Sequence, residues 1–116
     1  MKIEIDDKYY NWGQFIGIVN QNIGQVTESE DKQIGNFFVK ADRPDGVISL
    51  GVFKSKVMFY LWSEVYKNQV KTGETIFEYK IDDKSKEFSF SELFEDGQDL
   101  QILPLFMAKL EVVPLP

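Results

Sequence analysis

From Trp12 onward the apolar residues fall at Trp12, Phe15, Ile16, Val19, Ile23 and Val26. These steps of three and four place side chains along one face of a helix. Asp6, Asp7 and Asn11 lie ahead of it, and each is a residue type that caps helix N-termini. Gly13, Gly17 and Gly24 weaken a helix interior by up to about 1 kcal/mol apiece relative to alanine, but the periodicity outweighs them. Thr27 and Glu30 then stand at capping-box spacing, which predicts a second, short helix ending near Gly35.

Residues 49–67, SLGVFKSKVMFYLWSEVYK, carry the strongest helical signal in the chain. Phe53, Val57 and Leu61 form one line along it, and Met58, Trp62 and Val65 form the neighbouring one. Only a narrow strip with Lys56, Ser63 and Lys67 is polar, the pattern of a helix buried centrally. Ser49 is its expected N-cap.

Farther on, TIFEYKI (75–81) and EFSF (87–90) alternate in character on either side of DDKSK, which predicts a β-hairpin. Ser89 and Glu92 repeat the capping-box spacing ahead of Leu93 and Phe94, so a short helix is expected there. Pro104 argues against a helix through the apolar C-terminal stretch. KLEVV (109–113) instead reads as a strand able to pair with KIEI (2–5). ADRPDGV (41–47) and NQVKTGE (68–74) carry turn chemistry and are too short to link domains. Residues 1–116 are therefore expected to form a small single α+β domain, with a helical core and a minor antiparallel sheet or hairpin.

Composition narrows the chemistry. The 116 residues contain neither cysteine nor histidine, which removes disulfides, thiolate metal sites and the usual general base and zinc ligand. A net charge of -6 disfavours direct binding to a phosphate backbone, which needs clustered Lys and Arg. It suits a protein that meets another protein's basic surface. MKIEIDD lacks the apolar run of a signal peptide, and no stretch approaches the roughly 20 apolar residues of a membrane helix. A soluble, cytoplasmic protein without cofactor or metal is the expectation.

Three pieces, in this order and spacing, carry a further signal: FIGIVNQNIGQVTESEDKQIGNFFVKAD (15–42), ISLGVFKSKVMFYLWSEVYKN (48–68), and IFEYK with FSFSELF (76–94). Together they resemble the C-terminal lid region of the McrB-like AAA+ ATPases, motor subunits of modification-dependent restriction systems and their relatives. The matching positions are Val19-Asn20 with Ile23, the run Asp31 to Val39, and Phe53, Lys56, Val57, Tyr60, Leu61, Trp62, Val65 and Lys67. No GxxxxGK[ST] loop is present to cradle phosphates. Arg43, the one arginine, falls in a turn. The resemblance thus implies a lid without its motor: a non-enzymatic interaction module that docks on an ATPase or restriction-type assembly and modulates it.

The candidate contact residues begin with Phe37 and Phe38. They are adjacent, so at least one is expected to plug the core while the other is left for a partner. Lys56, on the polar strip, is either a snorkelling or ion-paired lysine or one that faces a nucleotide supplied with a motor in trans. Glu28, Glu30 and Asp31, in ESED, suit the alternative function, a small acidic inhibitor, phage-encoded for example, of a restriction or CRISPR complex. Its carboxylates would occupy a basic nucleic-acid groove. The other acidic clusters, at 81–83 and 94–99, lack calcium-loop spacing and read as solvated charge. Glu64, Glu78 and Tyr79 are not marked out as an acid–base set. Trp12 and Trp62 are spaced for core packing rather than base stacking.

Overall fold

The structure is a computed structural model and describes residues 1–27, 33–35, 37–65 and 76–116, of positions 23–27 the backbone only. The chain opens with a hairpin. β1 (Lys2–Ile5) and β2 (Lys8–Asn11) pair antiparallel with Ile5 opposite Lys8. Asp6 adopts a φ of 58° in the intervening turn, a conformation aspartate tolerates. Neither Asp6 nor Asp7 therefore caps a helix. Asn11 does: its Oδ1 accepts from the Gln14 N–H at 2.8 Å, and α1 (Trp12–Thr27) begins at the next residue. Gly13 leaves room for this cap, since a Cβ there would lie 3.2 Å from that oxygen. Thr27 is the last residue of α1 rather than the cap of a second helix. The expected helix itself falls largely on 28–32, outside the described residues, and 33–35 are not helical.

After the turn at Pro44–Gly46, β3 (Val47–Ile48) joins β1 in parallel, giving the sheet order β2-β1-β3. Ile3, Ile5 and Ile48 bury completely on its inner face. Ser49 caps the long helix as expected, its hydroxyl accepting from Val52 N–H at 3.3 Å. The Asp42 carboxylate takes the Ser49 N–H at 2.7 Å, and this bond holds the Asp42 carboxyl below its ordinary range.

The long helix, α2, spans 50–65 and is not a regular α-helix. One α turn (Leu50–Val52) leads into two stretches of wider π winding, Phe53–Met58 and Leu61–Val65. The sequence offers a physical reason. Phe53, Val57, Leu61 and Val65 repeat every four residues, and all four are buried. At 3.6 residues per turn each step of four drifts by about 40°, so Val65 would lie ~120° round from Phe53. Wider turns keep the line straight and all four side chains in one core. The expectation of burial round most of the circumference is too broad: Phe59 and Trp62 are partly exposed.

β4 (Glu78–Ile81) and β5 (Lys84–Glu87) form the second sheet, an antiparallel pair. Its turn is Asp82-Asp83, both at positive φ (51° and 64°), the geometry of a two-residue hairpin loop. The second strand is therefore KSKE and begins inside the DDKSK expected as loop. All four residues of β5 are exposed, so no alternation was there to read. A 3₁₀ turn (Phe90–Phe94) starts at the expected capping box, with the Ser89 N–H donating to Glu92 Oε1 at 3.2 Å.

The largest correction is at the C-terminus. α3 (Gln98–Lys109) runs straight through Pro104. An interior proline costs about 3 kcal/mol. Ile102, Leu103, Phe106 and Met107 are buried by the same helix, at roughly 1.5–3 kcal/mol per side chain, so the helix survives. Its end explains why KLEVV is not a strand. The Glu111 N–H donates to the Ala108 carbonyl at 3.0 Å and the Val112 N–H to the Met107 carbonyl at 2.9 Å, with Glu111 at a φ of 66°. This pair of bonds is a Schellman ending, with glutamate where glycine is the usual choice. It turns the tail onto β2, where Leu115 N–H meets the Tyr9 carbonyl at 2.7 Å, so the tail flanks β2 and not β1. Lys109 also pairs with Glu78 at 2.7 Å, tying α3 to the second sheet. Among the described residues no helix is long and apolar enough to cross a membrane.

Two substitutions check this architecture. Leu61→Ala removes a fully buried side chain and is expected to destabilise the fold by about 2–5 kcal/mol, read from urea midpoints. Glu111→Gly relieves the left-handed conformation and is expected to raise stability by about 0.5–1 kcal/mol after the extra chain entropy of glycine. An unchanged midpoint would mean that the helix ends some other way.

Candidate protein-interaction surface

The stretch that carries Phe37 and Phe38 is tied to α1 by one side chain. The Asn20 carboxamide donates from Nδ2 to the Ile34 carbonyl at 2.8 Å and accepts the Ile34 N–H on Oδ1 at 2.7 Å. It thus pairs with both polar groups of residue 34 as a neighbouring strand would, and Ile34 is buried below. One amide thus holds the loop to α1.

With Ile34 anchored, Val39 is the next of the described residues to enter the core. The Phe pair between them is not the plug expected of it. Phe37 is 93% exposed, and Phe38 is half-buried, packed against the core. The Phe38 ring centroid lies 5.0 Å from that of Tyr60 on α2, and the Lys56 ammonium stands 5.9 Å from it. Lys56 forms no ion pair among the described residues; it covers a ring, a contact worth about 0.5–1 kcal/mol at an exposed site. Burial raises the Tyr60 hydroxyl pKa, and the Glu64 carboxylate adds to the shift, so Tyr60 stays neutral at pH 7. Phe38 and Lys56 are thereby brought together, Phe37 points to solvent beside them, and Glu28, Glu30 and Asp31 lie outside the described residues.

A second ring group lies along the same helix, and the sequence reading missed it. Phe59 contacts Phe90 (centroids 5.5 Å) and Phe90 contacts Phe94 (5.0 Å). Phe59 is 49% and Phe94 53% exposed. Trp62 leans on Phe77 at 5.1 Å and remains 38% exposed, so it is only partly the core residue expected. Lys54 fastens this group to the body: its ammonium reaches the Leu93 carbonyl at 3.2 Å and Asp99 at 2.7 Å and lies 4.6 Å from the Phe94 centroid. The available signal was arithmetic. One helix face cannot bury every apolar residue between 50 and 65, and the surplus had to face outward. Phe38-Tyr60, Phe59-Phe90-Phe94 and Trp62 together form an aromatic band along the exposed side of α2.

A shallow pocket of about 200 Å³ lies elsewhere, lined by Ile18, Asn22, Ile76, Lys109, Leu110 and Glu111. Its lysine is already paired with Glu78.

The Asn20 clamp yields a test. Asn20→Asp keeps the acceptor but removes the donor and sets a carboxylate against the Ile34 carbonyl. A loss of about 1–3 kcal/mol is expected at pH 7. Only the protonated acid can donate to that carbonyl, so the deficit relative to the parent should shrink as the new carboxyl protonates, below about pH 4, and be complete at neutral pH. Paired urea titrations at pH 3.5 and 7 measure it; a deficit independent of pH would discount the lost donor.

No family model, curated protein or solved structure matches the chain.

Proposed function

We propose that the chain is a non-enzymatic protein-interaction module, a detached counterpart of an AAA+ lid, that docks on a motor or restriction-type assembly and modulates it. The observation that carries this reading is Phe37, 93% exposed and next in sequence to Phe38 of the aromatic band. Exposed rings grouped along one helix mark contact surfaces on soluble domains, and large aromatic side chains supply most interface hot spots. The resemblance names the partner class, because a lid packs on a neighbouring core domain of such motors and transmits their nucleotide state. No catalytic role is assigned to any side chain in this reading, and phosphate chemistry would belong to the partner.

The second reading, a small acidic inhibitor in a basic groove, draws support from Glu95 and Asp96, which are exposed and form no ion pair among the described residues. The two differ in what holds the complex together. With the partner captured from the native cell by the tagged chain, dissociation rates are measured at low and high salt. Phe37→Ala with Phe38→Ala is expected to speed dissociation about tenfold or more. Glu28→Lys with Glu30→Lys should leave the rate within about twofold, because long-range charge acts mainly on association. Dissociation that responds to salt and to the charge reversal but not to the Phe pair would return the inhibitor reading.

A further inference from the structure

We infer that the Phe59–Phe90–Phe94 end of the aromatic band receives a basic, arginine-bearing segment of a partner protein. This rests on the docking reading above and names the chemistry of what docks. Three rings in edge contact would by themselves fit any apolar partner. Charge decides between partners.

Between Lys86 and Lys109 the chain carries Glu87, Glu92, Glu95, Asp96 and Asp99 and no basic residue. Asp99 is neutralised by Lys54 at 2.7 Å, and Glu92 is engaged by the Ser89 N–H at 3.2 Å. Glu95 and Asp96 directly follow the half-exposed Phe94, are themselves exposed, and enter no ion pair among the described residues. An acidic partner laid over Phe94 would be repelled by these carboxylates, and an apolar one would gain nothing from them. A cationic partner is the one they attract.

The rings accept such a partner. Lys54 already places a cation 4.6 Å from the Phe94 centroid, and Lys56 does the same over Phe38 at 5.9 Å. Lys54 is held there by the Leu93 carbonyl and Asp99, so it does not reach out to neutralise Glu95 or Asp96. Arginine suits the site better than lysine. A planar guanidinium stacks on a ring while its N–H fork pairs with a carboxylate, whereas an ammonium is a compact point charge without the planar fork. The surface thus divides its work: the Phe37–Phe38 end contributes apolar contact, and the Phe94 end selects for positive charge.

The test uses the whole chain, labelled with nitrogen-15, and a synthetic octapeptide of alternating Arg and Gly, with Lys–Gly and Glu–Gly octapeptides of equal length as comparators. Amide shifts are followed during titration. Saturable shifts are expected for the Arg–Gly peptide, confined to residues near Phe59, Phe90 and Phe94 to Asp96. The Lys–Gly peptide should bind more weakly and the Glu–Gly peptide not at all. Phe94→Ala should weaken Arg–Gly binding roughly two- to fivefold. Glu95→Lys with Asp96→Lys should weaken it about tenfold or more, while Glu28→Lys with Glu30→Lys weakens it less. Equal binding of the Arg and Lys peptides, shifts spread over the whole surface, or equal weakening by the two charge-reversed pairs would overturn the proposal. So would concentration-dependent shifts of the same amides without peptide, which would assign the surface to a second copy of the chain. Failure here with the Phe37/Phe38 dissociation effect intact would remove the arginine selection alone. Failure of that effect would remove the docking reading itself.

Discussion

Phe106 is the side chain on which the elements of this fold converge. Its ring meets Phe15 of α1 with centroids 6.5 Å apart and Phe88 beside β5 at 5.5 Å. From Phe15 the contacts continue to Phe53 of α2 at 5.3 Å, and from Phe88 through Phe77 (5.6 Å) to Trp62 (5.1 Å), back on α2. Every one of these contacts is edge-on, the arrangement favoured by ring quadrupoles and worth about 0.5–1.5 kcal/mol beyond the area buried. The train therefore fixes not only which elements touch but at what angle. Both ends of it lie on α2, so the long helix is held at Phe53 and again at Trp62 by the same connected set of rings.

That double hold makes demands on α2 itself. Phe53 and Trp62, nine positions apart, must each meet its partner while Phe53, Val57, Leu61 and Val65 stay in one core. A strict period of four is out of step with 3.6 residues per turn, and wide winding reconciles them. Holding the buried line straight leaves Lys56, Phe59, Tyr60 and Trp62 on the other side. The aromatic band is thus the other side of the same packing solution, supplemented by two loops that supply Phe38 and the Phe90–Phe94 turn.

The devices that place those loops are polar and local. Asn20 presents a donor and an acceptor to residue 34, and Lys54 reaches across from α2 to the Leu93 carbonyl and Asp99. Neither is conspicuous in the chain. An asparagine inside a helix and a lysine in an amphipathic pattern are ordinary residues until the fold brings their partners, 14 and 45 positions away, within hydrogen-bond reach. Arg43 is similar: it pairs with Glu4, which also accepts the Tyr9 hydroxyl at 3.0 Å, so a turn residue braces the first sheet.

What the sequence determined by itself was whatever depends on neighbours along the chain. The α1 face at Trp12, Phe15, Ile16 and Val19, the caps at Asn11 and Ser49, the capping box at Ser89 and the α+β class were all legible, because periodicity and capping act within one turn of helix. What only the tertiary structure decided was where a local preference yields. Pro104 is admitted inside α3 because four buried side chains outweigh its cost. Glu111 takes a conformation suited to glycine because the Schellman bonds and the docking of Val112 require it there. Lys84–Glu87 form a strand with no apolar residue among them, since two left-handed aspartates set the register and backbone pairing does the rest. The Phe37–Phe38 pair illustrates both halves. Two adjacent rings announce that one side faces inward, but Ile34 and Val39 took the core, and Phe38 was turned to Tyr60 and Lys56 by contacts that no stretch of sequence contains.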